Sequence, residues 1–146
     1  MAGQVRCRAK EIRAGDAASI LPDMATVRYL VHDVGAAADF YTSALGFEVK
    51  RRFGPAIAIL ARGDLTLWVA GPTASAARPM PDGRKPEPGG WNRFVIEVED
   101  LAGFVAMLRE RGVPFRNDIL EGPGGKQILC EDPFGNVVEL FEPASG

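Results

Sequence analysis

Two stretches of this chain repeat one pattern. Thr26-Val27-Arg28-Tyr29-Leu30-Val31-His32-Asp33 and Arg93-Phe94-Val95-Ile96-Glu97-Val98-Glu99-Asp100 both alternate along their length and end in Asp. Alternation is the mark of a strand, because successive side chains leave it on opposite faces. The Asp is a helix N-cap signal, since its carboxylate can accept amide hydrogens of the first turn. Helical spacing follows in both copies: Val34, Ala38, Tyr41 and Leu45 in the first, Leu101, Phe104, Val105 and Leu108 in the second. A glycine then supplies the stop, Gly46 and Gly112 respectively. The chain is built twice, and a site is expected where the copies meet.

Three shorter strands are expected after each helix. In the first copy they fall at about Phe47–Arg52, Ala56–Ala61 and Leu65–Ala70, with turns at Gly54-Pro55 and Arg62-Gly63-Asp64. The second copy begins with a strand over Trp91–Glu99. After its helix come strands at about Pro114–Leu120, Lys126–Glu131 and Val137–Glu142, separated by Gly122-Pro123-Gly124-Gly125 and Asp132-Pro133-Phe134-Gly135-Asn136. Between the copies, 71–91 is rich in Pro and Gly without an apolar period, so it is expected to be neither strand nor helix. It is either a rim over a pocket or a plain surface crossing. The fold class expected is α+β: two tandem βαβββ modules whose curved mixed sheet encloses a cavity. A ferredoxin-like fold would need another helix before its last strand. The expected layout is an N-terminal extension over 1–23 and one domain over 24–143, with module 1 at about 24–71, a linker over 72–90 and module 2 at about 91–143.

With 146 residues, 47% of them hydrophobic and 25% charged, the chain can bury one good core. A net charge of −2 gives no general attraction to nucleic acid or anionic membranes, and no apolar run is long enough to span a bilayer. No apolar signal core is seen at the N-terminus, and Cys7 and Cys130 are far apart. Two reduced thiols in a cytoplasmic protein are therefore expected.

Alternation also assigns faces. Val27, Tyr29 and Val31, with Phe94, Ile96 and Val98, are expected beneath the helices. The opposite face carries Thr26, Arg28 and Leu30 in one copy and Arg93, Val95 and Glu97 in the other; Val137, Glu139 and Phe141 of the last strand join it. Leu65, Leu67 and Val69 are placed on this mixed face too, and Trp68 on the helix side. Charged groups in a partly apolar trough are costly unless they pair or meet a ligand.

The run Asp33-Val34 followed by Phe40-Tyr41-Thr42-Ser43-Ala44-Leu45-Gly46-Phe47, and the close Asp132-Pro133-Phe134-Gly135-Asn136-Val137-Val138-Glu139-Leu140, resemble the two signatures of the vicinal oxygen chelate superfamily. That group includes glyoxalase I, bleomycin-resistance proteins, fosfomycin-resistance enzymes and extradiol dioxygenases, and the resemblance spans about residues 24–143. One such scaffold carries many activities. The resemblance implies a divalent-metal site from the first and last strands of each module, at Thr26, Arg93, Glu139 and, by setting Gly63 against Gly135, Leu67. Only Glu139 is a family ligand type; Thr26 and Leu67 replace no imidazole, and Arg93 repels a cation. His32 stands at the far end of its strand, roughly 20 Å from Thr26. No cofactor is expected, with a divalent metal on Glu139 as the alternative.

The candidate ligand-binding residues are Thr26, Arg28, Leu67, Trp91, Arg93, Glu97, Gln127, Glu139 and Phe141, with Glu139 also the candidate acid or base. Arg93 and Glu139 are expected either to pair or to hold an anionic or carbonyl group of a ligand, for which the planar guanidinium suits. Trp91 either lines the cavity mouth or plugs the strand entry. Cys130 has no activating cue. The leading function is a metal-free cavity protein that sequesters a small organic molecule, as bleomycin-resistance proteins do. The alternatives are a lyase, isomerase or dioxygenase of the same superfamily. The resemblance further implies a homodimer, and leaves open whether modules pair within or between chains.

Overall fold

The structure, a computed structural model, describes residues 25–145; the N-terminal extension and Cys7 lie outside the described residues. Module 1 comprises β1 (Thr26–Leu30), α1 (Val34–Leu45), β2 (Glu48–Phe53), β3 (Ile57–Arg62) and β4 (Leu65–Ala70). Module 2 comprises β5 (Phe94–Glu97), α2 (Leu101–Glu110), β6 (Leu120–Gly122), β7 (Gly125–Glu131) and β8 (Val137–Pro143). Each module forms a four-stranded mixed sheet, in the orders β1-β4-β3-β2 and β5-β8-β7-β6. The first and last strands of each module run parallel, and the other pairings are antiparallel. This is the tandem βαβββ fold expected.

Both helices start and stop where the side chains direct. The Asp33 carboxylate accepts from the Ala36 amide and Asp100 from the Gly103 amide, each at 3.0 Å. Gly46 closes α1 at φ 74°, a left-handed conformation open to glycine without a Cβ penalty. Between the modules the linker forms only a single 3-10 turn, Ser75–Ala77.

One apolar cluster runs through both modules within the chain, including Leu45, Leu60, Leu67 and Val69 from the first and Ile96, Leu108, Ile128 and Leu140 from the second. Tyr29 stacks on Phe94 at 5.2 Å, and Phe47 meets Phe94 edge-on at 6.0 Å. Polar bonds cross the same seam. The Tyr41 hydroxyl donates to Asp132 Oδ2 at 2.9 Å, and the Tyr29 hydroxyl donates to the Val137 carbonyl at 2.7 Å. Asn136 Nδ2 donates to the Leu30 carbonyl at 2.8 Å.

Two readings are corrected. The strand expected over Pro114–Leu120 is reduced to one bridge, Phe115 to Cys130, before β6 resumes at Leu120. Asn117 Oδ1 takes the Leu129 amide at 2.9 Å, so a side chain replaces the backbone partner and the chain leaves the ladder. The face of β4 is also reversed. Leu67 and Val69 are fully buried beneath the helix, while Trp68 pairs in register with Arg28 and Ile59 on the mixed face.

That reversal has a clear cause. β3 and β4 are joined by Gly63-Asp64 between the paired Arg62 and Leu65. The corresponding turn of module 2 is one residue longer, Pro133-Phe134-Gly135, closed by the Asp132 amide on the Asn136 carbonyl at 2.9 Å. Gly63 and Gly135 are therefore not equivalent. Register settles the match: Arg28 opposes Trp68 as Val95 opposes Glu139. The counterpart of Glu139 is Trp68, and in a strand a one-residue slip exchanges the faces.

Candidate functional site

The mixed face of module 2 is built from four strands in register. Val95, Glu139 and Leu129 form one row, and Glu97, Phe141, Gln127 and Leu120 the next. Arg93 stands just before β5 and reaches across to β8. Its Nη2 and Nε donate to Glu139 Oε1 at 2.9 and 3.1 Å, and its Nη1 donates to the Trp91 carbonyl at 3.3 Å. Glu139 is a charged residue only 8% exposed in the middle of an apolar strand, so this pair offsets its burial. Among the described residues the second oxygen, Oε2, accepts no hydrogen bond. It is the open half of an otherwise committed carboxylate.

Around this pair the sequence candidates separate. Gln127 and Phe141 come together with Leu120 in a cleft of about 470 Å³ beside the β6–β7 hairpin. Glu97 is exposed in their row. Thr26 and Arg28 lie on the sheet of module 1, both exposed, and the Arg28 guanidinium covers the Trp68 ring at 5.0 Å. Leu67 is corrected out of the site, since it is fully buried in the core. Trp91 is 68% exposed and plugs nothing; the Arg116 guanidinium lies over its ring at 4.5 Å.

Arg116 went unnoticed in the sequence. It donates to Glu131 Oε1 at 2.7 Å, to the Gly90 carbonyl at 2.7 Å and to the Gly135 carbonyl at 3.0 Å, fastening the end of the linker to module 2. Asn136 adds a second fastening by accepting from the Gly89 amide at 2.8 Å. Along the linker, Pro72, Pro79, Pro86 and Pro88 close over Leu30, His32 and Ala70 around a cavity of about 350 Å³. The linker thus forms a rim at the end of β1 and β4.

The donor set does not suit a divalent metal. The positions that correspond through the sheet register are Thr26, Arg93, Trp68 and Glu139, with no imidazole and a single carboxylate, one oxygen of which is already held by a guanidinium. Among the described residues no three His, Cys, Asp or Glu side chains converge. Cys130 is buried among apolar groups, which pushes its thiol up to about 12, the wrong direction for a nucleophile.

The fold defines a class, the proteins built of paired βαβββ modules. The chain belongs to the Glyoxalase/Bleomycin resistance protein/Dioxygenase superfamily, whose family model matches residues 23–140. A sequence search of curated proteins finds no match. Among solved structures, a member of this superfamily from Sphaerobacter thermophilus DSM 20745 superposes with a TM-score of 0.66 at 26% identity, covering 84% of this chain and 98% of that one. TnmS3, an antibiotic binding protein from Streptomyces sp. CB03234, gives 0.64 at 24% identity, covering 86% and 98%. A lactoylglutathione lyase from Agrobacterium tumefaciens gives 0.65 at 20% identity, covering 84% and 95%. A binder and a lyase share this fold, so the fold alone does not choose between them. No helix among the described residues is long and apolar enough to cross a membrane.

Proposed function

We propose that this chain binds a small organic molecule on the mixed face without a metal, as a drug- or metabolite-sequestering protein. The observation that carries this is the Arg93–Glu139 pair, which sits among Val95, Leu129 and Phe141 with Glu139 Oε2 uncommitted. In this reading Arg93 fixes the carboxylate, Oε2 accepts a hydrogen bond from the ligand, and the apolar neighbours cover its body. TnmS3 supplies a precedent of fold for binding an antibiotic.

A homodimer belongs to the same proposal. Within one chain the mixed face is open, leaving Phe53 46%, Val95 49% and Leu120 53% exposed. A second copy that laid its module 2 face over the module 1 face of the first would cover these apolar groups and enclose a ligand between the two sheets.

The test is calorimetric screening of a panel of small aromatic and amphipathic compounds, with and without EDTA, on the wild-type chain and Arg93→Ala. Binding that survives EDTA and weakens at least about tenfold in Arg93→Ala is expected. Binding that EDTA abolishes and a divalent cation restores would overturn the metal-free reading. Wild-type binding in Arg93→Ala would remove the pair from the site.

A further inference from the structure

We propose that the mixed face of module 1 recognises a planar aromatic anion, with Trp68 as its platform and Arg28 as its charge anchor. This rests on the reading of the mixed face as a binding surface and adds the chemical class of the ligand.

Arg28, Trp68, Ile59 and Arg51 form one row across all four strands of the sheet, and Leu30, Ala70, Ile57 and Phe53 form the row beside it. Trp68 occupies the place that Glu139 holds in module 2, so an indole ring stands where a carboxylate would be. Its neighbours Ile57 and Ile59 are half-buried, which leaves a flat apolar floor open to solvent.

Two cations stand on this floor. The Arg28 guanidinium lies 5.0 Å from the centre of the Trp68 ring, and the Arg51 guanidinium lies 4.6 Å from that of Phe53. Among the described residues neither makes a salt bridge or a side-chain hydrogen bond. The nearby carboxylate of Glu48, in the row beyond, is taken by Lys50 at 2.7 Å. Stacking holds a guanidinium in one plane but leaves its N–H edge free, so the fork is oriented with its donors unspent. Anything that covers the face must desolvate those donors, which is costly unless an anion meets them.

The occupant that answers all of these features is flat, apolar and anionic. A ring seated on Ile59 against the Trp68 indole, beside the stacked guanidinium, gains aromatic contact, while its carboxylate meets the free N–H edge of Arg28 through paired charge-assisted hydrogen bonds. A neutral aromatic has the ring contact but leaves the guanidinium dry. The module 2 face, with Glu97 and Glu139, offers the opposite polarity. The two faces would therefore orient one ligand, its anionic end towards Arg28.

The test uses the full chain in a Trp91→Phe background, where Trp68 is the sole indole and reports directly. 1-Naphthoate and its neutral isostere 1-naphthamide are titrated while tryptophan emission is followed. Saturable quenching by 1-naphthoate is expected, with affinity at least about tenfold higher than for 1-naphthamide. Arg28→Ala should lose that preference while its circular dichroism stays unchanged, because the side chain it removes is exposed. Arg28→Lys should recover only part of it, since an ammonium lacks the fork.

Equal affinity for the two probes, or an unchanged preference in Arg28→Ala, would overturn the anionic class while leaving a small-molecule site in place. Quenching confined to dissociated monomer would overturn it too, assigning Arg28 to carboxylates of a second copy. Failure of both probes to quench would overturn the Trp68 platform. The EDTA-resistant, Arg93-dependent binding described above would then decide separately whether the broader function stands.

Discussion

Glu139 costs its strand more than any neighbour, and Arg93 answers that cost at one oxygen only. Removing Arg93 would leave a nearly buried carboxylate with no partner. Arg93→Ala is expected to lower stability by about 1–3 kcal/mol in urea unfolding, and to a smaller extent in a Glu139→Gln background where no charge is stranded. Equal losses in both backgrounds would show that the two side chains are not coupled. A second prediction at this scale concerns alkaline pH. Burial raises Tyr29 from 10.0 and Cys130 from 9.0, each to about 12, and pushes Tyr41 up as well, helped by the Asp132 carboxylate. All three folded groups hold protons that the unfolded chain releases, so their stabilisation is complete below the unfolded values and is lost as pH rises through the folded ones. The melting temperature should fall progressively above about pH 9, and less steeply in Tyr29→Phe. A flat profile from there to about pH 11 would contradict the burial of these groups.

At the scale of elements, the seam between modules depends on the turn Asp132–Asn136. Asp132 accepts from the Tyr41 hydroxyl, the Phe134 and Asn136 amides and Asn136 Nδ2, all between 2.8 and 2.9 Å, and is itself 1% exposed. Tyr41→Phe should cost about 1–3 kcal/mol by differential scanning calorimetry, since it withdraws one donor from a buried carboxylate. Gly125→Ala should be worse. At φ 144°, which side chains rarely adopt, its Cβ would be driven into the Glu142 carbonyl of the paired strand, so a loss of at least about 2 kcal/mol is expected.

Much of this level was legible in the chain. Asp33 and Asp100, Gly46 and the apolar spacing defined both helices, because caps and periods are local signals. Which face Leu67 and Trp68 take was not, because it hinges on one extra residue in the Pro133-Phe134-Gly135 turn, and strand faces alternate every residue. The break at Asn117 was hidden for a related reason: it depends on a side chain replacing a backbone partner on β7. Arg116 had no local signature at all. Its partners at Gly90, Glu131 and Gly135 come from three segments that meet only in the folded chain.

For the whole molecule, the duplication sets up two unlike faces on one shared core. Module 1 presents Arg28 and Arg51 over aromatic rings, and module 2 presents a buried Glu139 held by Arg93. The motif resemblance places Arg93 and Glu139 at one centre, with pairing one of two arrangements expected, and the two side chains do pair. The place of Trp68 on the mixed face is not legible that way, because matching Gly63 to Gly135 puts it on the helix side. Between the modules, the proline linker fastened by Arg116 and Asn136 keeps a rim at one end of the sheets.

The most direct measurement is native mass spectrometry of chain purified without chelator or affinity metal. It reads oligomeric state, metal content and any retained small molecule together. The expected spectrum is a dimer without stoichiometric metal, with or without a bound organic mass. About one divalent metal ion per chain would contradict the account, because a guanidinium on Glu139 and an indole at Trp68 leave such an ion no ligand set.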